Sequence, residues 1–215
     1  MDFRGTELKE GQYLSIAATV DLERTIKRSR FIASIRRAAT RDEFDAEMRA
    51  IEKLYPKATH YCWAYRFNAM PILEHASDAG EPAGSAGRPI LGALKKYSLS
   101  NTMAVVTRYY GGIKLGVKGL IASYGDTALM ALEGAQRAIF EPMSLVRFIS
   151  SYELYDILLA RLDRHKISNS SIKAKFEEKI SGEIEIPNSM REALEGELSR
   201  LSPGGKNFSY SISPR

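Results

Sequence analysis

Cysteine is almost absent from this sequence. Cys62 is the only one in 215 residues, so the chain cannot form an internal disulfide, and a reducing compartment fits this composition. No stretch approaches the ~18 uninterrupted apolar residues of a membrane span. Charges also interrupt the segment where a secretory signal would carry its apolar region: Asp2, Arg4, Glu7, Lys9 and Glu10. We therefore expect a soluble, cytoplasmic protein with no membrane partner.

Metal-binding patterns are missing as well. His60 and Cys62 share one face of a predicted strand, but two ligands do not make a zinc site, and no C-x-x-C pair completes one. The same two residues lack an identifiable third group that would make them a nucleophile and its base. We expect Cys62 to be a small core residue, and we predict no metal, no cofactor and no catalytic set.

The positive charge is unevenly distributed. Residues 1–139 contain 20 Lys and Arg against 15 Asp and Glu, a net charge of +5, whereas residues 140–215 contain 11 of each. An acidic partner such as a nucleic acid would therefore meet the first part of the chain. The alternative is a charge that serves solubility alone.

Hydrophobic periodicity predicts two domains of an α+β protein, residues 1–139 and 140–215. The second part has alternating and helical patterns in the order β-α-β-β-α-β, which is ferredoxin-like. The first part predicts strands near 29–38, 60–67 and 102–107, a turn at 68–71, and helices that begin near residues 40, 89 and 119. Capping boxes predict three helix starts, at Thr40 with Glu43, Ser150 with Glu153, and Ser189 with Glu192, and Gly204-Gly205 predicts the end of the last helix.

Two glycine-rich segments are the most distinctive features of the first part. SDAGEPAGSAGRPI covers 77–90, and RYYGGIKLGVKG covers 108–119, just before a predicted helix. Glycines permit close backbone approach, and a helix N-terminus attracts anions, so each segment is either a phosphate-binding loop or a tight structural connection. Lysines 114 and 118 favour phosphate binding in the second segment. Neither segment matches the P-loop or the Rossmann pattern.

The acids of the first segment, Asp78 and Glu81, allow two interpretations. They could act as an acid and base pair or as Mg²⁺ ligands. Short acids in such loops more often cap backbone N–H groups or pair with a nearby arginine such as Arg88. We therefore expect Asp78 and Glu81 to orient the loop.

Four segments together resemble the IMPACT family: KRSRFIASI (27–35), ATHYCWAYRF (58–67), SDAGEPAGSAGRPIL (77–91) and VVTRYYGGIKLGVKGLIASY (105–124). The two-part layout resembles its bacterial YigZ-like branch. Ala83 and Lys118 depart from the family's usual residues. The resemblance implies a first domain like domain two of ribosomal protein S-five, a fold shared with GHMP kinases, and a second like domain five of elongation factor G. The resemblance further implies that eukaryotic members, which carry an additional N-terminal domain, regulate translation, and that the short branch binds nucleic acid or the ribosome.

Charge, glycines and resemblance together predict a translation-associated factor that is not an enzyme and binds RNA or the ribosome through its basic first domain. Aromatic residues close to cations are typical of single-stranded nucleic-acid platforms, and Tyr109 is a possible stacking residue. An enzyme acting on a phosphorylated small molecule and a protein-interaction module are the alternatives. The predicted phosphate-binding residues are Lys27, Arg30, Arg66, Arg88, Arg108, Tyr109, Gly111, Gly112, Lys114 and Lys118.

Overall fold

The computed structural model describes residues 8, 11–67, 71–168, 171–202 and 207–214. The chain divides into two compact units, with a boundary in the sequence between Phe140 and Glu141. It is a mixed α+β protein, which confirms the predicted class. Of the helices in the described part, none combines the length and the apolar character needed to cross a bilayer.

The first unit contains seven strands and three helices in its described residues. The elements are β1 Tyr13–Ile16, β2 Val20–Ile26, β3 Ser29–Arg37, α1 Arg41–Leu54, β4 His60–Phe67, β5 Leu73–Ser77, α2 Gly87–Lys96, β6 Thr102–Tyr109, α3 Gly116–Gly134 and β7 Arg137–Phe140. Five of these strands form an antiparallel sheet in the order β2-β3-β6-β4-β5, and β1 pairs with β7.

Both faces of the five-stranded sheet are covered, because its strands alternate apolar side chains on two sides. Phe44 of α1 packs against Tyr65 and Val105 on one face. On the other face, Phe31 and Val106 pack against Tyr124 of α3, and α2 joins this cluster. Adjacent residues of one strand therefore reach different layers, which decides where the predicted site residues lie.

The second unit folds as β8 Met143–Ser150, α4 Tyr152–Arg164, β9 Ile172–Phe176, β10 Ile180–Pro187, a 3₁₀ turn Asn188–Met190, α5 Arg191–Ser199 and β11 Phe208–Pro214. Its antiparallel sheet has the order β11-β8-β10-β9. This arrangement is the split β-α-β that the sequence pattern predicts. Leu158 of α4 and Leu194 of α5 share its core with Val146 and Ile184 of the two central strands.

The helix starts agree only partly with the predicted capping boxes. Thr40 caps α1, because its hydroxyl accepts from Glu43 N at 3.2 Å. Ser150 does not cap α4: the cap is Ser151, one residue later, whose hydroxyl accepts from Leu154 N. Ser189 does not cap α5: this helix begins at Arg191, its N-cap residue is Met190, and it has no side-chain cap among the described residues. Most of the turn at 68–71 and the helix stop at Gly204-Gly205 lie outside the described residues.

Candidate nucleic-acid interface

The first glycine-rich segment is wrapped around its own carboxylate. Asp78 Oδ1 accepts from Ala86 N and Gly87 N at 2.8 Å each, and Oδ2 accepts from Gly84 N at 2.7 Å. Burial opposes ionisation, but these three backbone donors and the nearby Arg88 lower the pKa of Asp78. Since α2 begins at Gly87, Asp78 fills the position that an external anion would take at this helix N-terminus.

Glu81 lies in a buried polar network on the α3 side of the sheet. Its side chain is 4% exposed, and Oε1 accepts from Arg108 Nη1 at 2.5 Å. Tyr124 OH donates to the same oxygen at 2.8 Å, and His60 Nε2 lies 3.9 Å from it. The arginine that pairs with Glu81 is therefore Arg108 and not Arg88, whose side chain is exposed at the start of α2.

Cys62 is a poor nucleophile in this environment. Its thiol donates to the carbonyl of Asp78 at 2.9 Å, and burial raises its pKa to about 12. A thiol with that pKa carries almost no thiolate at neutral pH. His60 Nδ1 lies 2.9 Å from the carbonyl oxygen of Ala79, which holds the ring against the loop. Among the described residues, no group of three or more His, Cys, Asp or Glu side chains is placed to hold a metal ion.

The second glycine-rich segment packs on the β2–β3 turn. A methyl group at Gly111 would overlap the backbone of Arg28, so only glycine permits this approach. Ser29 Oγ accepts from Gly111 N at 3.2 Å. Lys27 and Arg28 occupy left-handed backbone conformations, with φ of 44° and 65°, as the two central residues of a tight hairpin turn do. The segment and the turn thus form one continuous surface.

The start of α3 has no counterpart of Asp78. Among the described residues, no side chain caps Gly116–Gly134, and its first turn contains no acidic residue. Gly112, just before the helix, has φ of +82°. We call the exposed cations of this region the cationic corner, and none of them forms an ion pair with another described residue. They are Lys27, Arg28, Lys114 and Lys118.

Two of the other four predicted cations are buried in ion pairs outside this corner. Arg108 is buried in its pair with Glu81. Arg66 is buried too, bound to Glu74 Oε1 at 2.9 Å and to the carbonyl of Leu99. It is six residues along β4 from the strand end that pairs with Arg108, a distance of about 20 Å.

Arg30 and Tyr109 point away from the cationic corner. They pair across β3 and β6, on the α1 side of the sheet. Arg30 binds Glu23, and its guanidinium lies over the Tyr109 ring at 5.2 Å. The hydrogen bond and the charge of Glu23 raise the pKa of Arg30. Tyr109 is half-buried on that side of the sheet, with one face of its ring against Arg30 and its hydroxyl bound to the carbonyl of Pro56.

Two residues of this surface were not among those predicted. Arg28 stands beside Lys27 in the hairpin turn, and Tyr110 follows Tyr109 with its ring 46% exposed. The alternation of a strand could have separated Tyr110 from Tyr109, because neighbouring residues face opposite layers. Arg28 could be found only from the packing of the turn against Gly111.

Comparisons with known proteins agree with the motifs. The family model of the Impact N-terminal domain matches residues 27–132. IMPACT family member YvyE of Bacillus subtilis (strain 168) is 33% identical over 202 residues, which cover 88% of this chain and 93% of that protein. IMPACT family member YigZ of Escherichia coli (strain K12) is 38% identical over 122 residues, which cover 56% of this chain and 60% of that protein.

A solved structure has the same architecture. It is the crystal structure of a hypothetical protein, with a TM-score of 0.69 and 27% identity, and the match covers 95% of this chain and 97% of the other. The match thus extends over nearly the whole length of both chains. The names of the sequence relatives give the family of this chain. The chain belongs to the IMPACT family, in its bacterial YigZ-like branch.

Proposed function

We propose that this protein is a translation-associated factor that binds RNA, free or in the ribosome, through the cationic corner of its first unit. Membership of the IMPACT family supports the association with translation that the resemblance implies. The observation that carries the RNA proposal is the exposure of Lys27, Arg28, Lys114 and Lys118 on two adjoining segments. Such cations are available to phosphate groups, which dominate the affinity for nucleic acids.

The state of the other cations supports the same surface. Arg66 and Arg108 are each held by a buried carboxylate or backbone carbonyl. Moving Arg108 to a phosphate would leave the buried Glu81 carboxylate without its cation, which is costly, and moving Arg66 would leave its bond to the carbonyl of Leu99 unmade. Lysines 114 and 118 are free of that cost. Arg88 is exposed near Asp78 and could add a peripheral contact.

The glycine-rich loops favour RNA over a phosphorylated small molecule. The three N–H groups that Asp78 holds cannot also bind a substrate phosphate. The second segment offers long, mobile lysine side chains and no serine hydroxyl between Gly111 and Gly119. Flexible cations suit an extended polyanion better than a small, precisely held ligand.

The test is the salt dependence of binding to a short RNA, followed by fluorescence anisotropy. Four phosphate contacts predict that log K falls against log salt with a slope of about −3 to −4. Lys114→Gln with Lys118→Gln is expected to make that slope shallower by about 2. The control is Arg49→Gln with Lys53→Gln, which removes two exposed cations from α1 on the other face of the sheet and should leave the slope unchanged.

Two results would contradict the proposal. One is the absence of RNA binding, or a flat salt response, at about 50 mM salt. The other is an equal change of the salt-dependence slope in the control variant, which would mean that RNA binding depends on total charge and not on this corner. A saturable thermal shift with a nucleoside triphosphate and none with RNA would instead favour the enzyme alternative.

A further inference from the structure

Tyr110 is an exposed aromatic ring beside the cationic corner. It is 46% exposed, directly precedes Gly111, and its amide donates to Thr59 Oγ1 at 3.0 Å. The Arg108 guanidinium lies over its ring, with Cζ 5.3 Å from the ring centroid. One face of the ring therefore contacts a cation, and the backbone that carries the ring is fixed.

The cation behind Tyr110 is itself immobile. Arg108 is 6% exposed at its side chain, donates to Glu81 Oε1, and reaches Ser29 Oγ at 3.3 Å. Its Cζ also lies 5.4 Å from the centroid of the Phe31 ring, so the guanidinium stands between two aromatic rings. A guanidinium fixed in this way holds one face of the Tyr110 ring in place. An aromatic platform that is already in place loses little entropy when a ligand stacks on it.

Apolar and basic side chains alternate next to this ring. Ile113, Val117 and Ile121 are 38%, 54% and 42% exposed. Val117 and Ile121 are four residues apart on α3 and so share one face of the helix, while Ile113 lies in the loop just before it. Lysines 114 and 118 lie among them. Exposed apolar side chains combined with cations suit a ligand that offers both flat apolar groups and negative charges.

We infer that this surface takes an unpaired segment of RNA, with one base stacked on Tyr110 and its flanking phosphates on Lys114 and Lys118. The inference rests on the proposed function and specifies its ligand. In duplex RNA the bases are stacked on each other and unavailable, whereas a single strand presents them to aromatic side chains. Duplex binding would need the cations but would leave Tyr110, Ile113 and Val117 without a partner.

The experiment compares two single strands of equal length and equal phosphate number, one with bases and one abasic. A stacked base contributes about 1–3 kcal/mol, so the wild-type protein should bind the base-bearing strand about 5 to 150 times more tightly. Tyr110→Ala should remove this difference, and Tyr110→Phe, which keeps the ring, should retain it. The control is Tyr152→Ala, which removes a tyrosine that is 53% exposed on α4 of the second unit.

The outcomes separate this inference from the proposed function. Equal affinity of the wild-type protein for the two strands, with the salt dependence intact, overturns base stacking but leaves RNA binding standing. The same holds if Tyr110→Ala preserves the difference, or if a duplex binds as tightly as the base-bearing strand. Failure to bind any of these RNAs contradicts the proposed function itself and points to a protein as the occupant of the apolar side chains. Thermal unfolding of each variant shows that it is folded.

Discussion

The two glycine-rich segments both precede a helix, but they have opposite electrostatic states. The segment before α2 supplies its own anion, since Asp78 accepts from three backbone N–H groups. The segment before α3 contains no acid, and its lysines are exposed. Both use glycine to bring the backbone close to a neighbouring element. A glycine-rich loop before a helix is therefore an anion site only when the protein leaves its N–H groups and cations unoccupied.

Gly111→Ala should have the largest effect, because it breaks the contact that makes the second segment and the β2–β3 turn one surface. The added methyl group would overlap the Arg28 backbone, so we expect a loss of at least about 3 kcal/mol in the free energy of unfolding. Gly112→Ala is the matched control. Its methyl would meet no atom within 4 Å, but φ is +82°, so it should cost about 1–2 kcal/mol. Urea unfolding measures both, and equal losses would contradict the packing described.

Asp78→Ala should destabilise the fold without weakening RNA binding by the folded protein. The substitution leaves three backbone donors without their acceptor, and we expect a loss of about 2–3 kcal/mol. Unfolding curves and anisotropy at one temperature well below the transition give the two quantities. A large loss of RNA affinity with normal stability would show that the first segment is part of the binding surface.

The free energy of unfolding should depend on pH through the carboxylate of Asp78. The pKa of Asp78 is lower in the folded chain than its ordinary value, which in an unfolded chain is about 3.9. Its stabilising effect is therefore complete above that pH and declines as the pH falls through the folded-state pKa. The stability difference between the wild type and Asp78→Asn should be constant from pH 7 to pH 5 and narrow towards pH 3. A constant difference down to pH 3 would mean that the charge of Asp78 is unimportant.

Arg30→Gln should have the smallest effect. The pair between Arg30 and Glu23 is exposed on both sides, so its loss should leave the free energy of unfolding almost unchanged. RNA affinity should change less than about twofold, because Arg30 lies on the α1 side of the sheet and contacts no phosphate there. Lys114→Gln measured in the same buffer is the comparison. If Arg30→Gln lowers the RNA affinity as much as Lys114→Gln does, the binding surface continues around the edge of the sheet to the α1 side.

Local patterns in the sequence predict most of the elements, because strands and helices are set by periodicity and turn residues. Phe208–Pro214 and the α4–β9–β10 order are examples. Three strands, β1, β2 and β7, were not predicted from the sequence. Val20–Ile26 is partly exposed and charged, and Tyr13–Ile16 and Arg137–Phe140 are four residues long and form a sheet only with each other. Short strands that pair across more than a hundred residues leave little local periodicity.

The candidate site is less predictable, because pairing decides which cations remain available. In the sequence, Arg108 and Arg66 look as available for binding a phosphate as Lys114 does. Their partners Glu81 and Glu74 come within hydrogen-bond distance only in the folded domain. Arg88 is seven residues from Glu81, yet the partner of Glu81 is 27 residues away. Charge and glycine content indicate the region of a site, whereas the tertiary ion pairs determine its members.

The most direct test of the central claim is ultraviolet crosslinking in living cells, followed by mass spectrometry of the RNA-bound peptides. We expect crosslinked nucleotides on peptides that contain Tyr110 to Lys118, with Tyr110 as the main modified residue. We expect no crosslinked nucleotides on the loop from Asp78 to Gly87. Crosslinks confined to the second unit or to the first glycine-rich segment, or a protein free of RNA, would contradict the assignment of the cationic corner as the RNA-binding surface.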